Sequence, residues 1–361
     1  MEDIKDSAHK GALVWEDNDF NFYTIISGKE IFIGKGRQVP YPLEEGDCWT
    51  LPGGETFEFK RGAVARIEPR DAEKRLKLCL EEIYSKFEES YLYSDPLGFV
   101  HKFEDPRDIE IAGFIASGFA FGSVAQIIKF LERIDGILNH RPYEFLLNYD
   151  AETGLRLFKG LYYRFIKEKD IAALFLTLSG IVKKYGSIEK FFMEGYKPSD
   201  LNLKNAISSF SKRAIELIDF TFVYGSVYPD EGSRVCFFFS SPEDNSPCKR
   251  INLFLRWMVR SSDNLDFGIW NGIEPYRLIM PVDTHIARIS RYIGLTKYKN
   301  PSFKMAEEIT LNLKKLDYSD PVKYDFAITR LGILDLCPRN RNIEKCEGCP
   351  IINICNLGDN K

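Results

Sequence analysis

The sequence predicts a mainly α-helical chain with a small β module at its start and a cysteine-rich loop at its end. Three observations predict it. Residues 1–69 are short segments rich in β-branched and aromatic residues, separated by glycine-containing turns. From about residue 70 the apolar period changes to that of amphipathic helices. Residues 337–361 carry four of the eight cysteines, at 337, 346, 349 and 355.

Bulk properties narrow the class. A chain of 361 residues exceeds one ordinary core and implies two or three domains. Hydrophobic residues at 44% and charged residues at 28% fit a globular protein. No apolar run reaches the roughly 18 residues of a membrane span, and the start, MEDIKDSAHKGALVWED, is too acidic and mixed for a secretory leader. A cytoplasmic location with no membrane partner, and a monomer, are therefore expected. The net charge of -4 argues mildly against a nucleic-acid binder, but charge is local. Residues 246–300 hold nine Lys and Arg against four Asp and Glu, so +5. That surplus is either a phosphate-binding face or merely a solvated one.

In order, the β module (1–69) offers strands in FNFYTII, KEIFIGK, CWTL and TFEFKRGAVARI, with turns at Ser27-Gly28, Gly34-Lys35-Gly36 and Pro52-Gly53-Gly54. A little barrel or sandwich is expected. It shows no site and reads as an accessory module with a protein partner of its own. The helical domain (70–336) opens with DAEKRLKLCLEEIYSKFEE, whose Leu76, Leu80, Ile83 and Phe87 share a face. Residues 108–134 are largely apolar and suit a buried helix pair. Residues 150–220 supply further amphipathic helices, broken by Gly186, Gly195 and Pro198.

Next come an apolar stretch (RVCFFF), a polar turn (SSPEDNSP) and the helix CKRINLFLRWMVR. Ser246 is the expected N-cap, with Pro247 in the first turn. Lys249 and Arg250 then stand where free backbone N–H groups can hold a phosphate. PVDTHIARISRYIGL opens another helix, capped by Asp283 or Thr284, with Ile286, Ile289 and Ile293 buried and Gly294 as its stop. Helices over 301–316 and 320–336 complete the domain. The cysteines are spaced C-x8-C-x2-C-x5-C. Zinc sites of four thiolates usually show two tight pairs, and here there is one. The single loop therefore favours a [4Fe–4S] cluster over zinc or free thiols; the neighbouring Arg339, Arg341 and Lys345 either meet phosphate or are solvated.

These residues carry a resemblance. Lys249 after a turn and between helices, Val282-Asp283-Thr284-His285, Leu331-Gly332 and four C-terminal cysteines together resemble the helix-hairpin-helix DNA glycosylases of the endonuclease III type. A narrower likeness, over roughly 72–336, is to a further branch of that superfamily, at SDP (94–96), DIEIAGF, KRINLFLRWMVR, DFGIW, PVDTH and DPVKYDFA. The resemblance implies a two-lobed helical glycosylase fold with a C-terminal iron–sulfur loop. Two features depart from endonuclease III: PEDNSP replaces the glycine-rich hairpin, and the interval from Lys249 to Asp283 is long. The archaeal 8-oxoguanine glycosylases share both traits.

The resemblance further implies base excision with AP-lyase activity on double-stranded DNA carrying a damaged base, an oxidised purine by analogy, or an abasic site. Lys249 would attack C1′ of an extruded nucleotide and form a Schiff base, Asp283 would stabilise charge at the sugar or take the lysine proton, and Arg250 would help keep the amine neutral. Ser246, Arg250, Arg256 and Arg288 are the expected DNA contacts. Phe121, Phe267, Trp270 and His285 are the candidate base pocket, Tyr276 accompanies them in the extra segment, and Ser117–Phe121 is where wedge residues occur in the family. Each has a plainer reading: Lys249 a phosphate contact, Asp283 a cap, His285 structural, the aromatics core. The alternatives for the whole are a non-catalytic nucleic-acid-binding protein that keeps fold and cluster, and action on RNA.

Overall fold

A computed structural model describes residues 15–16, 21–26, 29–35, 39, 43, 48–50, 56–60, 63–67, 71–87 and 89–357. The chain is mainly helical. Its strands form two antiparallel three-stranded sheets: β1 (Trp15–Glu16), β2 (Asn21–Ile26) and β3 (Lys29–Lys35) in one, β4 (Cys48–Thr50), β5 (Thr56–Lys60) and β6 (Ala63–Ile67) in the other. Register shifts between Phe22 and Tyr23, opposite Gly34. The expected turns at Ser27-Gly28 and Pro52-Gly53-Gly54 lie outside the described residues.

The helices are α1 (Asp71–Lys86), α2 (Pro96–Val100), α3 (Pro106–Gly118), α4 (Val124–Leu138), α5 (Pro142–Leu147), α6 (Ala151–Leu157), α7 (Glu168–Tyr185), α8 (Ile188–Met193), α9 (Lys204–Glu216) and α10 (Thr221–Tyr224). After them come α11 (Lys249–Val259), α12 (Thr284–Tyr292), α13 (Phe303–Lys314), α14 (Asp325–Ile333) and α15 (Ile343–Glu347). Several start where the sequence puts Asp or Ser before the helix: Asp95 and Asp105, each followed by proline, Asp150 and Ser187 all accept a first-turn N–H. No helix among the described residues is long and apolar enough to cross a membrane.

The chain divides into two compact units, each discontinuous in sequence: residues 1–86, 284–299 and 307–361, and residues 87–283 with 300–306. In the second, α3 is the central post, with every residue from Ile109 to Gly118 buried. Gly113 lets α11 lie close against it, since a Cβ there would stand 2.9 Å from Met258 Cε. Phe114 packs edge-on to Phe254, and Ala120, just beyond α3, meets Lys249 at the start of α11, so the two helices run antiparallel. In the first unit α14 packs on α12 and α1. Gly332 of α14 leaves the space that the His285 ring fills. The Tyr324 hydroxyl donates to Glu81 Oε1 at 2.6 Å, and Lys323 bridges Glu81 and Asp317 at 2.9 and 2.8 Å.

Two boundaries differ from expectation. The last long helix starts at Asp325 rather than Asp320, because residues 320–325 close two tight turns, Lys323 N–H onto Asp320 O and Asp325 N–H onto Val322 O. Helix α11 starts at Lys249 with Cys248, not Ser246, as its cap residue. The Ser246 hydroxyl is engaged one step earlier, accepting Cys248 N–H at 3.2 Å. The apolar 234–239 stretch forms a 3-10 turn at Val235–Phe237, with Phe238 and Phe239 buried after it.

Candidate active site around Lys249

The turn before α11 contains no glycine, yet it uses the left-handed backbone that glycine usually supplies. Asn245 has φ 52° and ends a 3-10 turn at Pro242–Asp244; Cys248 has φ 46°. Asparagine tolerates this region. At Cys248 the thiol, fully buried, lies 3.3 Å from Ser240 O and 3.4 Å from Ser246 O, which anchors the strained residue.

That geometry delivers Lys249 as the first helical residue. Its half-buried Nζ donates to Ala120 O at 2.8 Å. Beside it, the Arg250 guanidinium lies 3.4 Å over the Phe237 ring and donates to Phe237 O. Burial pushes the Arg250 pKa down to about 10. Phe121 follows Ala120 directly. It stacks on Phe165 at 5.4 Å, meets Phe237 and Tyr163 edge-on at 5.0 Å each, and its carbonyl accepts the Tyr163 hydroxyl at 2.6 Å. Phe165 is 46% exposed, so this aromatic group opens to solvent.

The other end of the candidate site is the segment that returns from α11 to Asp283. Asp266, fully buried, pairs with Arg256 at 3.1 Å and with Arg260, whose guanidinium also reaches Asp263 at 2.8 Å. Phe267 and Trp270 N–H groups donate to Trp257 O and Met258 O at 2.8 Å each, so the segment doubles back along the end of α11. Trp270 Nε1 donates at 2.9 Å to Glu110, which also accepts Ile188 and Glu189 N–H at 2.8 Å. Burial pushes Glu110 up to about 7, against the opposing pull of those three N–H donors. Leu278, Ile279, Met280 and Val282 are buried, and Asp283, half-buried, ends the unit's long first stretch.

Several of the expected site residues have partners within the chain. Arg256 is 2% exposed and spent on Asp266, so it is no surface cation. Arg250 donates to Phe237 O, and the Ser246 hydroxyl accepts Cys248 N–H. Arg288 Nη2 donates to Cys337 O at 2.7 Å and so steadies the cysteine loop. Trp270 is a core residue, packed on Phe192 and Phe254. His285 packs against α14 through Gly332. Phe267 lies on His101, with centroids 4.5 Å apart. Phe121 directly follows Ala120, whose carbonyl holds the Lys249 amine. The sequence reading missed Phe165 and the Ala120 carbonyl; an aromatic pair flanking arginine in YYRF was the available signal.

Cys337, Cys346, Cys349 and Cys355 fall on one loop. Burial pushes the Cys337 thiol up to about 11, and it feels the other three. Leu357 N–H donates to Cys355 Sγ at 3.4 Å, a bond of the kind that tunes cluster sulfurs. Four neighbouring soft donors fit an iron–sulfur group chemically, although among the described residues no three His, Cys, Asp or Glu side chains stand at metal-holding distances.

Residues 95–334 match the family model of DUF2400, described as a protein of unknown function. The match covers well over half of the chain, which therefore belongs to that family; it leaves out the strands and the four cysteines. No curated protein matches the chain.

Proposed function

We propose that this member of the DUF2400 family is a DNA base-excision glycosylase with AP-lyase activity, built as a helix-hairpin-helix glycosylase. The observation that supports it most is the Lys249 amine: half-buried, at the first residue of a helix, held by the Ala120 carbonyl and bordered by Phe121, in the same compact unit as Asp283 of the VDTH sequence.

The chemistry starts with a nucleotide turned out of the duplex, at a cost of about a few kcal/mol. Lys249 Nζ bonds to C1′ as the glycosidic bond breaks and the base leaves with a proton. Asp283 stabilises positive charge at the sugar or accepts the lysine proton. Opening of the sugar gives the imine, and loss of a C2′ proton expels the 3′ phosphate. The four cysteines would hold a [4Fe–4S] cluster, which when bound clasps their loop and can exchange an electron. A damaged base, an oxidised purine by analogy, is the substrate class.

A second reading, nucleic-acid binding without chemistry, is favoured by the same hydrogen bond, because it engages the amine with main chain. Borohydride trapping separates the two. Purified protein is incubated with duplexes carrying an abasic site, 8-oxoguanine, uracil or no lesion. A covalent adduct that disappears in Lys249→Gln is expected. Binding with no adduct on any duplex would sink the lyase mechanism, and base release on the same duplexes then decides between a monofunctional glycosylase and a binding protein. Visible absorbance with iron and sulfide analysis checks the cluster.

A further inference from the structure

A groove of about 440 Å³ lies between α4 and the loop ahead of α7, lined by Ser123, Gln126, Lys129, Phe130, Arg133, Tyr162, Tyr163 and Arg164. Its floor is apolar: Phe130 and Tyr163, both buried, pack at a tilt with centroids 4.9 Å apart. Its walls are polar and cationic. Gln126, Lys129 and Arg133 are exposed along one face of α4. Opposite them, Tyr163 and Ile166 exchange both backbone hydrogen bonds at 2.9 Å and close a tight two-residue tip, Arg164-Phe165. Arg164 occupies that tip at φ 55°, a conformation that costs a residue with a Cβ about 1 kcal/mol or more and is found where a side chain must be aimed. Gly122, at φ 107°, makes room for it: a Cβ there would stand 2.9 Å from both Arg164 Nη1 and Tyr163 Oη.

The groove is lined by no acidic residue, and no carboxylate among the described residues pairs with Lys129, Arg133 or Arg164. Glu132 lies next to Arg133 in sequence but is turned to Lys102. Tyr162 is 67% exposed. Three cations without a carboxylate partner among the described residues, Arg164 lying 5.9 Å over the Phe121 ring, and a solvent-facing phenol ring over an apolar floor match what a nucleic-acid strand offers, which is regularly spaced phosphates with stackable bases between them. The groove is also continuous with the Lys249 site, because Ala120, Phe121, Gly122 and Ser123 lead from one to the other.

We propose that this groove is a DNA-strand site in which Lys129, Arg133 and Arg164 contact phosphates and Tyr162 stacks on a base, so that the strand runs on to Lys249. The assignment rests on the reading of the chain as a DNA enzyme, and it puts the grip on α4 and the 162–165 tip rather than on the arginines of the 246–300 stretch.

The test is fluorescence anisotropy of the full chain with a labelled duplex carrying an abasic-site analogue, over a salt series. Lys129→Ala/Arg133→Ala should weaken binding and reduce the slope of log K against log salt by about two, and Arg164→Ala by about one. Tyr162→Ala should weaken binding about tenfold with the slope unchanged. Circular dichroism of each variant should match the wild type, and Lys129→Gln/Arg133→Gln gives a milder version of the same charge loss. Unchanged affinity and slope in the charge variants overturns the proposal. So does loss of binding to a mononucleotide or inorganic phosphate with duplex binding intact, which would make the groove a small-molecule site. Borohydride trapping on the same duplexes keeps the two readings apart. Trapping by groove variants with unaltered binding sinks the groove alone. Groove-dependent binding without trapping sinks the lyase alone, and no duplex binding by the wild type sinks both.

Discussion

Arg256 and Lys129 carry the same charge and have opposite fates. Arg256 and Arg260 converge on the buried Asp266 and tie the returning segment to the end of α11. Lys129, Arg133 and Arg164 converge on a groove that contains no acid. Local charge in the sequence, +5 over residues 246–300, fits either a phosphate-binding face in that stretch or a solvated one. Most of that charge is consumed internally: Arg250 on Phe237, Arg256 and Arg260 on Asp266, Arg277 on the carbonyls of Pro198 and Asp200, Arg288 on Cys337. A count of charges measures supply, whereas binding depends on what is left after the fold has made its own pairs.

The largest effect should come from breaking the consumed set. Asp266→Ala takes from two buried guanidiniums the carboxylate they share, although Arg260 keeps Asp263, and removal of one partner from a buried ion pair costs about 3–5 kcal/mol. Urea unfolding should show the loss directly. A change below about 1 kcal/mol would mean that water reaches the arginines and that the contrast between the regions is weaker than their burial suggests.

Glu110 extends the contrast to an acid. Its folded pKa of about 7 lies above the ordinary 4.5, so the folded protein holds this proton more tightly than the unfolded chain does. The stability it contributes is fully present below pH 4.5 and is lost as pH rises through about 7. About 1.36 kcal/mol per pKa unit sets the scale at about 3 kcal/mol. Unfolding midpoints of wild type and Glu110→Gln between pH 4.5 and 8 should differ in slope, the variant being flatter; parallel curves would remove Glu110 as the source.

How much of this was legible follows a physical pattern. Strands in FNFYTII, KEIFIGK and TFEFKRGAVARI, the helix over 71–86, the buried pair α3 and α4, and the Ile286/Ile289/Ile293 stripe were readable, because each is set by local period and by neighbours in sequence. Lys249 at the head of α11 was readable for the same reason, although its cap was not: whether Ser246 or Cys248 ends the turn depends on carbonyls at Ser240 and Ser246 that close around the thiol. Pairings over long separations were illegible. Nothing near Trp270 in sequence announces Glu110, and nothing near Lys249 announces Ala120. The polar face of Gln126, Lys129 and Arg133 lies within a stretch that reads as largely apolar, and its significance needed Arg164 opposite it.

The smallest expected effect is the sharpest test of the comparison. Lys129, Arg133 and Arg164 pair with no carboxylate among the described residues, so replacing one by alanine removes no native ion pair, and at Arg164 only a contact with the Phe121 ring at 5.9 Å. Exposed substitutions of that kind stay within about 0.5 kcal/mol. The sign should lean toward stabilisation, because like charges gathered in one groove repel, and the lean should shrink with added salt as screening takes over. Arg164→Gly should gain most, since it also relieves the left-handed backbone at φ 55°. Denaturant midpoints at low and high salt would measure both parts. Stability lost on removing Lys129 or Arg133 would reveal an internal partner and erase the distinction; stability gained would mean that these cations are maintained at a cost to the fold, which is the signature of residues held for an external ligand.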